Sequence, residues 1–184
     1  MNLIRHTFKY RVAGVWQDVT TIDLFKNKKV VLFGLPGAFT PTCSSKQLPG
    51  YEEQYNKFKE LGIDEVYCIS VNDAFVMNAW ADAQGIEKVK MIPDGCGTFT
   101  RSLGMLVNKP KQGFGLRSWR YSAIIDNEVI TYMAEEPGIN NFSNDEDPYV
   151  ESTPEKVIAY LEKDLPIETT VEEDMDPVDF KDED

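Results

Sequence analysis

Two apolar runs most constrain what this chain can fold into: Lys29-Val30-Val31-Leu32-Phe33-Gly34-Leu35 and Glu65-Val66-Tyr67-Cys68-Ile69-Ser70-Val71. Between them Tyr51, Tyr55, Phe58 and Leu61 recur at helical spacing. Runs this apolar read as buried strands, and a helix between two of them makes a β-α-β unit. The class is therefore α/β, organised about a sheet that is at least partly parallel.

The rest of the chain fits round that unit. Thr7 to Val12 and Val15 to Val19, joined at Ala13-Gly14, read as a hairpin on the sheet edge. Thr21 to Phe25 reads as a short helical turn. Asn72-Asp73 opens a helix that runs to about Gln84, and Val89 to Ile92 is a third strand stopped by Pro93. Thr98 to Met105 makes one or two helical turns, and Asn108 to Gly115 is a loop. That loop leads into a strand over Trp119 to Ile125, turned at Asp126-Asn127 into Val129 to Met133. Residues 135–152 are polar loop. Thr153-Pro154-Glu155 starts a last helix, which Pro166 ends.

The junction after the first strand carries the chemistry. Pro36-Gly37-Ala38-Phe39-Thr40-Pro41-Thr42-Cys43 delivers a cysteine to the first turn of a helix, with Thr40 placed as N-cap and Pro41 at the first helical position. Pro49-Gly50 is expected to break that helix soon after, and Gly62 to cap its continuation. Free N–H groups and the positive end of the helix dipole favour thiolate over thiol there. Pro36-x-x-x-Thr40-x-x-Cys43 resembles the active-site motif of the peroxiredoxins, and the Gly-Ala-Phe insert resembles their type II, or peroxiredoxin-five-like, branch. Ser70 to Val76, Ile92-Pro93-Asp94-Gly95 and Arg117 to Ser122 match in the same order, so the likeness spans roughly residues 8 to 162.

The resemblance implies a thioredoxin-like fold, with a central mixed sheet flanked by helices and an N-terminal hairpin extension, over residues 1–166. It implies a peroxidase in which Cys43 cycles between thiolate and sulfenic acid. Thr40 would hydrogen-bond thiolate and peroxide, Pro36 would shield the sulfur, and Arg120 would be the cationic partner. The N–H groups of Thr42 and Cys43 would complete the peroxide site. No metal or organic cofactor is called for, and a homodimer is expected by inheritance from the family. Some type II members carry a resolving cysteine in the loop after the second hairpin, but residues 134–152 here contain none. A one-cysteine cycle then follows, with glutathione, glutaredoxin or thioredoxin as reductant.

Composition narrows the alternatives. Of the net charge of −12, nine acidic residues and Lys181 between Glu168 and Asp184 account for −8, so residues 167–184 read as a disordered acidic tail. An acidic chain is a poor partner for nucleic acid or anionic membrane. The N-terminus carries charge but no apolar segment of a secretory leader. Three cysteines without CxxC form no disulfide scaffold, and a single histidine, His6, leaves no Cys/His zinc site. A reducing, cytoplasm-like compartment fits.

Individual residues have plainer readings too. A free cysteine is usually buried and inert, which suits Cys68 in its core strand. Cys96, between two glycines, is expected on an exposed turn, and His6 on the surface. Arg117 and Arg120, three apart on one strand, would face opposite ways, leaving Arg117 solvated or at an interface. A cysteine protease would want an imidazole partner, which this chain does not offer near Cys43. A peroxide sensor or relay, and a binding module without turnover, remain open as other classes.

Overall fold

The computed structural model describes residues 1–144 and 146–164. The expected helix stop at Pro166 and the acidic tail at 167–184 lie outside the described residues.

Strands β1 (Thr7–Val12) and β2 (Val15–Thr20) pair antiparallel about Ala13-Gly14. They form a two-stranded sheet of their own rather than extending the edge of the main one. Helix α1 (Thr21–Phe25) follows at once, because Thr20 and Asp23 make a reciprocal capping box. Strand β3 (Lys29–Gly34) then runs through the centre of the molecule, buried from Val30 onward.

Beyond Cys43 the expected break at Pro49 does not occur. Cys43–Gln47 forms a π-turn, in which the Leu48 N–H reaches back five residues to the Cys43 carbonyl. The widened turn lets the chain pass a proline that has no N–H to offer, and α2 (Leu48–Glu53) carries straight on. The break falls instead at Gln54, ahead of α3 (Tyr55–Glu60). Strand β4 (Glu65–Ser70), helix α4 (Ala74–Gln84) and strand β5 (Lys90–Pro93) complete the parallel part. Asp73 caps α4 by accepting the Val76 N–H, and Gly85 ends it in the left-handed conformation, φ 63°.

After α5 (Thr98–Ser102) the expected loop is instead a second small hairpin, β6 (Leu106–Lys109) with β7 (Gly115–Ser118). The strand expected over Trp119 to Ile125 is interrupted: β8 begins only at Tyr121 and runs to Asp126, so Trp119 and Arg120 sit in the break. Strand β9 (Val129–Glu135) and α6 (Pro154–Lys163), capped by Thr153, close the fold.

The main sheet has order β5-β4-β3-β8-β9, with β3, β4 and β5 parallel and β8 and β9 antiparallel additions. One face packs Phe33, Tyr51, Phe58, Met77, Trp80, Val157 and Leu161 under α2, α3, α4 and α6. The other packs Phe8, Phe25, Tyr67, Phe99, Trp119 and Tyr121. Together they give the mixed, helix-flanked sheet expected of a thioredoxin-like fold. His6 is half-buried rather than fully on the surface: its ring meets Phe8 edge-on at 4.7 Å, with Nε2 4.0 Å from Asp94.

Candidate active site

The sheet register creates the site. Strands β3 and β8 are antiparallel, and Gly34, the last residue of β3, pairs with Tyr121, the first of β8. The chain leaving β3 and the chain entering β8 therefore emerge at the same end of the sheet. The first carries residues 35–43, the second Trp119 and Arg120. The approach is close: a Cβ on Gly34 would lie 2.1 Å from the Tyr121 ring, so only glycine fits.

The loop after β3 is held from several sides. The Ala38 N–H donates to Asn72 Oδ1 at 3.0 Å, which ties the loop to the end of β4. Phe39 is left-handed, φ 63°, an uncommon state for a bulky residue. The Thr40 carbonyl accepts the Ser44 N–H at 3.0 Å, so the helix does begin here. The N–H groups of Thr42 and Cys43 precede that first intrahelical bond and belong to the open first turn.

The Thr40 hydroxyl departs from expectation. It donates to the Gly37 carbonyl at 2.8 Å, so its proton is not directed at the sulfur, and among the described residues no backbone N–H donates to its oxygen as to a cap. With that proton engaged, the oxygen presents lone pairs, and Thr40 lines the mouth of the site as an acceptor.

Cys43 is fully buried beneath this loop. Arg120 Nη1 lies 3.5 Å from its Sγ. The same guanidinium donates through Nη1 to Gln47 Oε1 and through Nη2 to Asp147 Oδ1, and it lies over the Tyr149 ring, 5.7 Å from the centroid. Its Nε, also buried, has no partner among the described residues. Burial works against the arginine's charge, but the Cys43 sulfur and Asp147 outweigh it and raise the pKa above the ordinary value.

Arg117 is neither solvated nor free. It is half-buried, donates to the carbonyls of Phe114 and Val71 at 3.1 Å each, and lies against Gly37 from behind. The alternation argument that separated the two arginines fails in detail, because the strand ends between them. Pro36 is buried at the mouth with Thr40 and Pro41. Together with Lys109, Gln112, Phe114 and Asp147 they line a cavity of about 150 Å³.

Sequence reasoning missed three residues here. Gln47 is fully buried and spans Gly34, whose carbonyl takes its Nε2 at 3.4 Å, and Arg120. Its position four residues after Cys43, on the same helical face, was the available signal. Asp147 and Glu136 lie in a stretch with no periodicity. Glu136, fully buried, accepts the N–H groups of Val150, Glu151 and Ser152 as well as the Ser152 hydroxyl. Its own N–H meets the Arg120 carbonyl and its carbonyl takes Trp119 Nε1. One residue thus ties the 136–153 loop to the arginine.

The other cysteines sit as read: Cys68 is fully buried on β4 beside Phe33, and Cys96 is exposed. Burial, with a smaller contribution from the Cys43 sulfur, pushes the Cys68 thiol well above its usual range. Among the described residues no His, Cys, Asp and Glu side chains gather as metal ligands.

Comparison with known proteins agrees with this geometry. The Redoxin family model matches residues 7–151. A peroxiredoxin of Rhizobium etli is 56% identical over 146 residues, 79% of this chain and 81% of that protein. A hybrid peroxiredoxin of Haemophilus influenzae is 48% identical over 155 residues, 84% of this chain and 62% of that protein. Among solved structures, a Plasmodium falciparum antioxidant protein described as a 1-Cys peroxiredoxin superposes with TM-score 0.84 at 37% identity, covering 89% of this chain and 98% of that one. Reduced Prx3 of Vibrio vulnificus, solved with hydrogen peroxide, superposes with TM-score 0.78 at 40% identity, covering 88% and 94%.

Proposed function

Since this chain belongs to the peroxiredoxins, thiol peroxidases of the Redoxin family, we propose that Cys43 reduces hydrogen peroxide and organic hydroperoxides in a one-cysteine cycle regenerated by glutathione, directly or through glutaredoxin. The observation that carries the residue assignment is the guanidinium of Arg120, 3.5 Å from a fully buried sulfur. A thiolate lone pair attacks the nearer peroxide oxygen. The S–O bond forms as the O–O bond breaks, and the far oxygen leaves as water or alcohol, taking up the proton the thiol released on ionising. Negative charge moves from sulfur to that leaving oxygen. Arg120 and the first-turn N–H groups of Thr42 and Cys43 are the donors along the line, already oriented and out of bulk water. The Thr40 oxygen accepts from the hydroperoxide O–H and fixes its approach. Pro36 keeps water from the sulfur.

Resolution by an outside thiol is supported by where the other cysteines lie. The 136–153 loop has none, and Cys68 is sealed in the sheet. Glutathione attacks the sulfenic sulfur, water leaves, and a second thiol releases the mixed disulfide. Because Cys43 is fully buried, the π-turn must loosen before so large a thiol can reach it. Three free cysteines suit a reducing, cytoplasm-like compartment. Exposed apolar residues on loops round the site, Phe39 and Phe142, suit pairing as a homodimer.

Intact-mass analysis after one equivalent of hydrogen peroxide and excess glutathione tests the cycle. One glutathione on Cys43 is expected, with turnover lost in Cys43→Ser and kept in Cys68→Ser and Cys96→Ser. A bridge from Cys43 to either other cysteine refutes the one-cysteine reading.

A further inference from the structure

Arg117 and Phe114 hold one another. Arg117 Nε donates to the Phe114 carbonyl, Nη1 donates to the Val71 carbonyl, and the guanidinium lies over the Phe114 ring, 5.6 Å from its centroid. Those bonds leave Nη2 without a partner among the described residues. The ring held in this way borders two openings. On one side Phe114 lines the mouth over Cys43. On the other it lines a cleft of about 320 Å³, together with Asn72, Asp73, Cys96, Leu116 and Arg117. A cleft of that size falls within the usual range for small-molecule sites.

The cleft backs onto the loop that carries Cys43. Its Asn72 accepts the Ala38 N–H through Oδ1, and Arg117 Nη1 lies 3.4 Å from where a Cβ on Gly37 would sit. Two opposite charges line it. Arg117 supplies the cation. Asp73 supplies an exposed carboxylate, whose Oδ1 takes the Val76 N–H at the start of α4 and whose Oδ2 has no partner among the described residues. Leu116, 53% exposed, adds an apolar wall.

We propose that this cleft is the reductant subsite: it seats glutathione by its γ-glutamyl end, the α-carboxylate on Arg117 and the α-ammonium on Asp73, with the thiol directed past Phe114 to the Cys43 mouth. This rests on the glutathione-dependent peroxidase reading above. Charge and reach both match. An α-amino-acid end carries a carboxylate and an ammonium on one carbon, the complement of a guanidinium and a carboxylate lining one cleft. An extended tripeptide spans about 10 Å, enough to bind behind one aromatic ring and react in front of it. A thiol seated beside the mouth attacks sulfenic Cys43 at a raised effective concentration. The S–S bond forms as the S–O bond breaks, and the hydroxyl leaves as water with the proton of the glutathione thiol.

The test oxidises the full chain with one equivalent of hydrogen peroxide, then mixes it with glutathione or with dithiothreitol, a thiol that carries no charged group. The rate at which sulfenic Cys43 disappears is read for each. Arg117→Met, and Asp73→Asn, which keeps a helix cap and removes the charge, are each expected to lower the glutathione-to-dithiothreitol rate ratio about tenfold, whatever happens to the absolute rates. S-methylglutathione, which fills the cleft but cannot react, is expected to slow glutathione in the wild type and leave dithiothreitol less affected. A ratio unchanged in either variant overturns the proposal, because a merely structural role slows both thiols alike. So does a wild type indifferent to S-methylglutathione. Absence of any glutathione adduct on wild-type Cys43 while dithiothreitol sustains turnover overturns the glutathione reading itself. Absence of turnover with both thiols overturns the peroxidase reading.

Discussion

Arg120 Nη1 and Cys43 Sγ lie 3.5 Å apart across 77 positions of sequence, and the pairing of Gly34 with Tyr121 is what brings them together. Arg120→Met is expected to slow peroxide reduction about 10²–10³-fold, the usual cost of losing a preorganised donor. Gln47→Leu, which frees the guanidinium from its neutral anchor, should slow it less, about tenfold. Arg117→Met touches neither sulfur nor peroxide and should slow it least. Stopped-flow measurement of the first oxidation step ranks the three. Arg117 ranking above Arg120 would make Arg117 the cationic group that serves the sulfur.

Glu136→Ala removes the acceptor for three backbone N–H groups and one hydroxyl, of which the N–H and hydroxyl of Ser152 are buried. Leaving such donors buried and unpaired costs about 3 kcal/mol or more. For a domain of this size that corresponds to a melting temperature lower by about 6–12 °C. Calorimetry reads it directly, and Glu136→Gln should fall between wild type and Glu136→Ala. An unchanged melting temperature in Glu136→Ala would mean that water satisfies those donors equally well.

Gly34 and Tyr121 make a matched pair of predictions. Gly34→Ala drives a methyl into the Tyr121 ring at 2.1 Å and should cost about 1–3 kcal/mol or fail to fold. Tyr121→Phe should be neutral or stabilising, since the buried hydroxyl has no partner among the described residues. A clear loss of stability in Tyr121→Phe, seen by chemical denaturation, would reveal a hidden partner for that oxygen.

Cys68 should make the fold sensitive to alkali. Its pKa in the folded state is raised by burial and then by Cys43, so the folded protein keeps the proton longer than the unfolded chain. The unfolded state then binds fewer protons once the pH passes about 8.5, and stability falls as pH rises from there. Below that point both states hold the proton and the contribution is constant. Above about pH 10 the buried tyrosines Tyr51 and Tyr121, raised by burial, act with the same sign. Melting temperature between about pH 7.5 and 9.5 should drop more in wild type than in Cys68→Ala. Equal slopes would place the alkaline sensitivity elsewhere.

Much of the fold was legible because it is written locally. Apolar runs marked β3 and β4, capping residues marked α4 and α6, and the strand-to-helix junction placed Cys43 in a first turn. Each signal lies within a few residues of what it specifies. The break at Trp119-Arg120 was not legible, because Arg117 to Ile125 keeps a strand-like composition through it. Family resemblance points to Arg120 rather than Arg117, whereas strand alternation does not separate the two, because the strand ends between them.

What the sequence by itself determined is the class of fold, the placement of Cys43 in a first helical turn and the residues of its loop. Only the tertiary structure decided which side chains surround the sulfur and in which direction each hydrogen bond runs. The Thr40 proton goes to Gly37, Gln47 is shared between Gly34 and Arg120, and Asp147 reaches Arg120 from a loop whose composition reads only as polar. Glu136, an ordinary surface residue by composition, becomes the buried anchor of that loop. The physical reason is common to all four. A polar side chain carries no periodic signature of its own, and its partners are settled only when distant segments fold together and exclude the water that would otherwise satisfy it.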